Sequence, residues 1–274
     1  MKDYTIVVLG CGVMGTAVSS AILKAKFEPY PARIIGCTNS SSTNALLESS
    51  LQHEIFEYSY GVEANTKAVS EADIIILGCK PYMYQQIYEE IKSGLRGDQL
   101  LISLLAGTTI SELEIFTPYV AKVMTNTPAR FGAGTAAIAF SKLAEEKYED
   151  LVLKLISPVG EAFKIDEKNM DAATALIGSG PAFCLLMMES LIEGGVRMGL
   201  PWEVAKLSAA KVMEGTAKMA LETKEHPAIL KSKVCTPGGT TIGGLLKMED
   251  AGVRSGIARG VEEAARISAS FAKK

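Results

Sequence analysis

Residues 4–15 read YTIVVLGCGVMG. The first half is a short apolar run, rich in β-branched residues, that stops at a glycine; this is the pattern of a buried strand. The stretch Gly10-Cys11-Gly12-Val13-Met14-Gly15 then fits G-x-G-x-x-G, and residues 13–26 read as a helix. Each glycine has its own duty in such a motif. Gly10 permits the tight turn, Gly12 lets the backbone approach a pyrophosphate, and Gly15 lets the helix pack on the strand, while the helix N-terminus favours negative charge. Strand, turn and helix in this order predict dinucleotide binding. The plain alternative is a glycine-rich turn with no ligand.

Working outward, RIIGCTN, DIIILGC, DQLLISLLAG, YVAKVMTN and GTAAIAFS read as further strands. Helical stretches lie between most of them, the first being SSTNALLESS with its capping Ser and Thr. Strands alternating with helices imply a parallel sheet covered on both faces. From about Lys168 no strand is convincing. PAFCLLMMESLIEGGVRMGL is apolar on nearly every side, which suits a helix over 181–200 buried in a bundle or between subunits. Pro201 opens a helix running to about Thr223, and a last helix spans Val253 to Phe271. The predicted fold class is therefore α/β. A Rossmann-type dinucleotide-binding domain (residues 1–166) precedes an all-α domain (residues 167–274), with the boundary in KIDEKNM.

The end of the second strand bears on the choice of dinucleotide. An NAD site usually carries Asp or Glu there, on the ribose 2′-hydroxyl. This chain has Thr38, Asn39, Ser40, Ser41 and Ser42, with no carboxylate to repel a 2′-phosphate. That favours NADP; no arginine follows, so the preference is modest and NADH stays possible. The serines also read as a helix cap, and both readings can hold together. GCKPY (78–82) closes the third clear strand at the carboxyl edge, where ligands of such sheets sit. Lys80 there faces cofactor phosphate or ribose, or is a solvated lysine before Pro81. SLLAG (103–107) ends the next strand and could approach the nicotinamide.

Composition narrows the rest. The 274 residues are 48% hydrophobic, with net charge -3 and no basic block, which argues against nucleic acid and against electrostatic membrane binding. Fully apolar runs such as Ile74 to Cys79 are strand-sized, against roughly 20 residues for a membrane span. About five apolar residues before Cys11 fall short of a secretory segment, which needs roughly 7–15. Cys11, Cys37, Cys79, Cys184 and Cys235 are scattered without a CxxC pair, the usage of a reducing cytosol. The expected location is cytoplasmic. His53 and His226 lie far apart and no metal site is expected. Cys11, Cys79 and Cys235 fall inside candidate site segments, where helix N-termini can lower a thiol pKa; inhibition by alkylation is expected.

In TPGGTTIGG (236–244), Pro237, Gly238 and Gly239 form a turn, and Thr240 and Thr241 are expected to cap a helix beginning at Ile242. Free backbone N–H groups at a helix start bind carboxylates and phosphates, so the stretch reads as a small-anion pocket with two hydroxyls beside it. A plain helical corner is the alternative.

The chain resembles the Δ1-pyrroline-5-carboxylate reductase family almost end to end. The resemblance rests on GCGVMG, GCKP, MTNTPA (124–129), GSGPAF (178–183), EGGVRMGLP (193–201), HPAILKSKVCTPGGTTIGGL (226–245) and GVRSGIARGVEEA (252–264). It implies NADPH-dependent reduction of a cyclic imine carboxylate to proline, the last step of proline biosynthesis. The cofactor loop then falls on Gly10, Gly12, Val13, Met14 and Gly15, and the 2′-phosphate contacts on Thr38, Asn39 and Ser40. Asn65 lies near the adenosine ribose. A further segment maps to Cys79, Lys80 and Pro81, with cysteine where an aliphatic residue is usual, and the backbone near nicotinamide to Leu104, Leu105 and Ala106. Thr236, Gly239 and Thr240 would hold the substrate carboxylate, and Thr241 would hydrogen-bond the ring nitrogen as the catalytic residue. The resemblance also implies a homodimer that swaps helices, or a higher oligomer of dimers. Two rivals are a β-hydroxyacid-type dehydrogenase and a non-enzymatic NADP sensor. The first needs a lysine on the long helix after the Rossmann half, and PAFCLLMMESLIEGG has none. The second has no need of a carboxylate pocket.

Overall fold

A computed structural model describes residues 3–271. They form two compact units: one comprises the residues up to Ser179 together with those from Glu263 onward, the other Gly180–Glu262.

The first unit is built on strands β1 (Thr5–Leu9), β2 (Arg33–Thr38), β3 (Phe56–Tyr60), β4 (Ile74–Leu77), β5 (Leu100–Ser103), β6 (Val120–Met124), β7 (Gly134–Phe140) and β8 (Gly160–Lys164). They lie side by side in the order β3-β2-β1-β4-β5-β6-β7-β8. Chain order reverses on either side of β1, and ligands of open α/β sheets bind at such a switch point, beyond the carboxyl ends of the strands. The helices are α1 (Val13–Lys24), α2 (Ser41–Ser50), α3 (Val62–Glu71), α4 (Tyr84–Ile91), α5 (Ile110–Leu113), α6 (Lys142–Ile156) and α7 (Met170–Ala173). The central strands are near-continuous Ile, Val and Leu because both of their faces are covered. One face carries Ile6, Val8, Ile74, Ile76 and Ile102, the other Val7, Leu9, Ile75, Leu77 and Leu101, all fully or almost fully buried. Each such side chain contributes roughly 1.5–3 kcal/mol by leaving water.

Two expectations are corrected here. The sheet is mixed: β7 runs antiparallel to β6, with Met124 opposite Ala137. The connection is a short 3-10 turn, Thr127–Phe131, and a parallel return needs a crossover of a dozen or more residues. Strands β3 and β8 were not expected at all. They are the two edges of the sheet, and neither is an apolar run: FEYSY alternates and GEAFK is mostly exposed.

The second unit is helical: α8 (Gly180–Arg197), α9 (Trp202–Thr223), α10 (Pro227–Val234), α11 (Thr240–Asp250) and the start of α12 (Val253–Phe271). Helices α8 and α9 pack through Met188, Ile192, Ala205 and Ala209. Leu185, Leu186, Leu191, Leu207, Val212 and Leu221 are exposed, large apolar side chains on neighbouring helices of one unit. The continuous helical stretch Glu167–Arg197 is long and apolar enough to cross a membrane, and little of its apolar part is buried. The expectation that no stretch reaches membrane-span length and composition is thus corrected. It rested on uninterrupted apolar runs, whereas the few interspersed Gly, Ser and Thr are only weakly polar and the surrounding Ala, Leu, Ile, Phe and Met keep the stretch apolar on average.

Candidate functional site

The glycine loop owes its shape to contacts no side chain could share. Gly10 has φ +78°, and a β-carbon on it would fall 2.7 Å from the Cys79 Cα and backbone N. One on Gly15 would lie 3.0 Å from the Gly10 carbonyl oxygen, and so would one on Gly78. Backbone bonds tie the turn to its neighbours: Cys11 N–H donates to Cys37 O at 3.0 Å, and Gly78 N–H donates to Leu9 O at 2.8 Å. Gly12 is different. It is the N-cap of α1 with no side-chain cap, and among the described residues nothing lies within 4 Å of where its β-carbon would be. The first turn of α1 contains no acidic residue, and Val13 is exposed. Its orphan N–H groups therefore face open space at a positive helix end.

The end of β2 is organised by side chains. Ser40 caps α2, its Oγ accepting from Thr43 N–H at 3.3 Å and lying 3.0 Å from the hydroxyls of Ser42 and Thr43. Asn65 Nδ2 donates to Thr38 O at 3.1 Å, and its Oδ1 accepts from Ser59 at 2.8 Å. Asn65 thus fixes the strand end rather than standing free. Asn39 is exposed beside it, and α2 has no acidic residue in its first turn. Next to β1, Lys80 is exposed and its side chain makes no hydrogen bond or ion pair among the described residues; its carbonyl accepts from Met83 N–H at 2.9 Å as Pro81 starts the 3-10 turn Pro81–Met83. Leu104 N–H donates to Leu77 O at 2.9 Å and Leu105 N–H to Ser103 Oγ at 3.3 Å, while Ala106 is half-buried. The fold thus brings residues 10–15, 38–40, 65, 79–81 and 104–106 to the carboxyl edge of one sheet.

A cleft of about 770 Å³ opens from this loop, lined by Gly12, Val13 and Met14 of α1, Thr43 of α2, and Thr127 and Arg130 from the turn after β6. Arg130 pairs with no carboxylate among the described residues; its guanidinium lies 5.0 Å from the Phe131 ring centroid. This cation was missed because it lies far along the chain from β2, where an NADP site is usually sought. Its only sequence signal was the adjacent MTNTPA.

For Cys11 and Cys79 the expectation of a lowered thiol pKa is corrected. Burial pushes the Cys11 thiol up to about 11, Cys37 to about 12 and Cys79 to about 11. Desolvation outweighs the helix terminus here, because a thiolate would have to form away from water.

The segment 236–241 belongs to the helical unit. Helix α11 begins at Thr240, not Ile242, and its N-cap is Gly239, without a side-chain cap bond. Gly238 takes φ +67°, and Gly239 N–H donates to Thr236 O at 3.0 Å. The expectation that the threonines cap the helix is therefore corrected. The glycine-led turn already delivers the chain to the helix start, so both threonines lie inside the first turn. Neither hydroxyl makes a hydrogen bond among the described residues; Thr240 is exposed and Thr241 half-buried. Two free hydroxyls lie beside the uncapped N–H groups of a helix start, donors of the kind that bind anions.

A family profile described as pyrroline-5-carboxylate reductase dimerisation matches residues 167–271, and one described as NADP oxidoreductase, coenzyme F420-dependent, matches residues 5–107. A pyrroline-5-carboxylate reductase from Kluyveromyces lactis is 46% identical over 287 residues, covering 100% of both chains. The chain belongs to the pyrroline-5-carboxylate reductase family. A pyrroline-5-carboxylate reductase from Synechocystis is 34% identical, covering 97% of this chain and 98% of its own. Among solved structures, the Plasmodium falciparum pyrroline carboxylate reductase with NADP bound is similar with a TM-score of 0.85 at 26% identity, covering 99% of each chain.

Membership in the pyrroline-5-carboxylate reductase family accounts for two features that the single chain leaves unexplained. The dimerisation profile covers the apolar helices whose surfaces are exposed, so these point to self-association. It also covers the apolar stretch Glu167–Arg197.

Proposed function

We propose that the chain reduces 1-pyrroline-5-carboxylate to L-proline at the expense of NADPH, in proline biosynthesis. The observation that carries this reading is full-length identity to reductases of that name. The first unit fits a dinucleotide: open space at Gly12, an uncapped α1 and the absence of acid at the start of α2 leave room and favourable charge for phosphates. Gly10 to Gly15 hold the pyrophosphate, and Thr38, Asn39 and Ser40 receive the 2′-phosphate. Arg130 supplies the cation that the β2 end lacks. Lys80 and Pro81 border the ribose and phosphates, and Leu104 to Ala106 border the nicotinamide through their backbone.

NADPH, when bound, supplies the hydride for the imine carbon. The chain's residues do the orienting. The N–H groups at Gly239 and Thr240, with Thr236, hold the substrate carboxylate. The Thr241 hydroxyl hydrogen-bonds the ring nitrogen and helps keep its proton in place as the carbon is reduced. An imine nitrogen is basic enough that no buried carboxylic acid or histidine is needed as proton donor. Holding both reactants in register contributes roughly 7–11 kcal/mol in favourable cases.

The functional division at residues 166 and 167, a helix-swapped homodimer or larger assembly, and a cytoplasmic enzyme that binds neither nucleic acid nor membrane belong to the same reading. A thermal unfolding measurement tests its substrate side. Proline should raise the midpoint of the NADP-bound protein, and an unmoved midpoint would favour a bare cofactor sensor.

A further inference from the structure

The loop after β5, which the proposed function places against the nicotinamide, is gripped from an unexpected direction. Gly107 has φ +69°, and a β-carbon on it would lie 2.5 Å from the Phe271 Cβ and 3.1 Å from the Phe271 ring. The last turn of α12 therefore rests on the loop with no room for a side chain between them. Three residues earlier, Ser268 is 3% exposed and donates its hydroxyl to Asp171 Oδ1 of α7 at 2.6 Å. The far end of the loop is fixed as well. Thr109 and Glu112 form a capping box, with Thr109 N–H donating to Glu112 Oε2 at 2.7 Å, and Glu167 Oε1 accepts from Ile110 N–H at 2.6 Å.

Lys122 of β6, only 4% exposed and in no close ion pair among the described residues, lies in the field of Glu167, Asp171 and Glu112. Burial pushes its pKa down, and the three carboxylates offset this only in part. A carboxylate cluster already occupied by hydroxyl and backbone donors, with a buried cation among it, is a structural anchor rather than a free ligand site.

We propose that Ser268 and Phe271 are positioning residues: latched to Asp171, the last turn of α12 sets the Leu104–Gly107 loop against the reacting end of the cofactor. The inference rests on the placement of that loop under the proposed function. It gives α12 a second role. Its residues from Val253 to Glu262 belong to the helical unit and those from Glu263 to the sheet unit.

The test uses Phe271→Ala and Ser268→Ala in the full chain. Substrate kcat and KM, NADPH dissociation constant, emission of bound NADPH and molar mass in solution are measured. We expect kcat to fall on the order of tenfold, since small misplacements of reacting groups are costly. NADPH affinity should stay within about twofold with the mass unchanged, because the phosphate contacts lie elsewhere. Nicotinamide emission should shift, and Phe271→Leu should restore most of kcat. Unchanged kcat and emission in both variants would overturn the proposal. So would a loss that tracks dissociation of the assembly and that Phe271→Leu does not rescue. If Phe271→Ala does not fold, Ser268→Ala, which removes only the latch, decides alone. Should the wild-type chain prove inactive on the imine, the emission of bound NADPH still reads the loop.

Discussion

Gly10 and Cys79 meet backbone to backbone, so closely that a methyl group on Gly10 would sit 2.7 Å from two Cys79 main-chain atoms. Gly12, two residues on, has nothing within 4 Å of the same position. Packing within the protein demands the first glycine; it makes no such demand of the second, which the proposed function gives to the pyrophosphate.

The two substitutions should therefore fail differently. Gly10→Ala combines a positive φ with a backbone clash and should cost at least about 1–3 kcal/mol in urea unfolding. Gly12→Val, at an uncapped N-cap, should cost at most about 1 kcal/mol, yet NADPH affinity should drop by orders of magnitude. Normal affinity in Gly12→Val would remove the pyrophosphate from this loop.

Coenzyme choice turns on Ser40. Aspartate caps helices as well as serine does, so Ser40→Asp keeps the bond to Thr43 N–H and leaves stability unchanged. Its charge should repel a 2′-phosphate, raising the dissociation constant for NADPH at least about tenfold and that for NADH hardly at all. Equal changes would mean that the serine run is only a cap.

The buried thiols should be slow to react. With Cys11 and Cys79 each raised to about 11, only roughly one part in ten thousand is thiolate at pH 7. Their alkylation rate should climb about tenfold per pH unit toward 11. Mass spectrometry after brief treatment at pH 7 should find Cys11 and Cys79 still unlabelled. Rapid labelling of Cys11 at neutral pH would contradict the burial argument.

In the first turn of α11, removing either threonine hydroxyl deletes no cap, so unfolding midpoints should hardly move. Thr241→Ala should lower kcat by roughly 10–1,000-fold. Thr241→Ser should keep much of the rate, and Thr240→Ala should do less harm because its backbone N–H survives. The reverse order would exchange the two roles.

The sequence made legible the parts of the fold in which burial leaves a pattern. The inner strands are continuous apolar runs, and GCGVMG marks the switch point beside β1. Edge strands Phe56–Tyr60 and Gly160–Lys164 escaped because each is half wet and carries polar residues at alternate or successive positions. The antiparallel turn into β7 depends on the short connection after Asn126, which no periodicity announces. At the site, glycines and serines were readable from their backbone chemistry. Arg130 and the grip of Phe271 on Gly107 were not, since both depend on contacts between distant segments.

The central claim is tested most directly by following NADPH oxidation with 1-pyrroline-5-carboxylate beside a matched NADH assay, with proline quantified in the same tubes. The account predicts one proline formed per NADPH consumed, and a higher kcat/KM with NADPH than with NADH. Tight NADPH binding without any proline formed would contradict it.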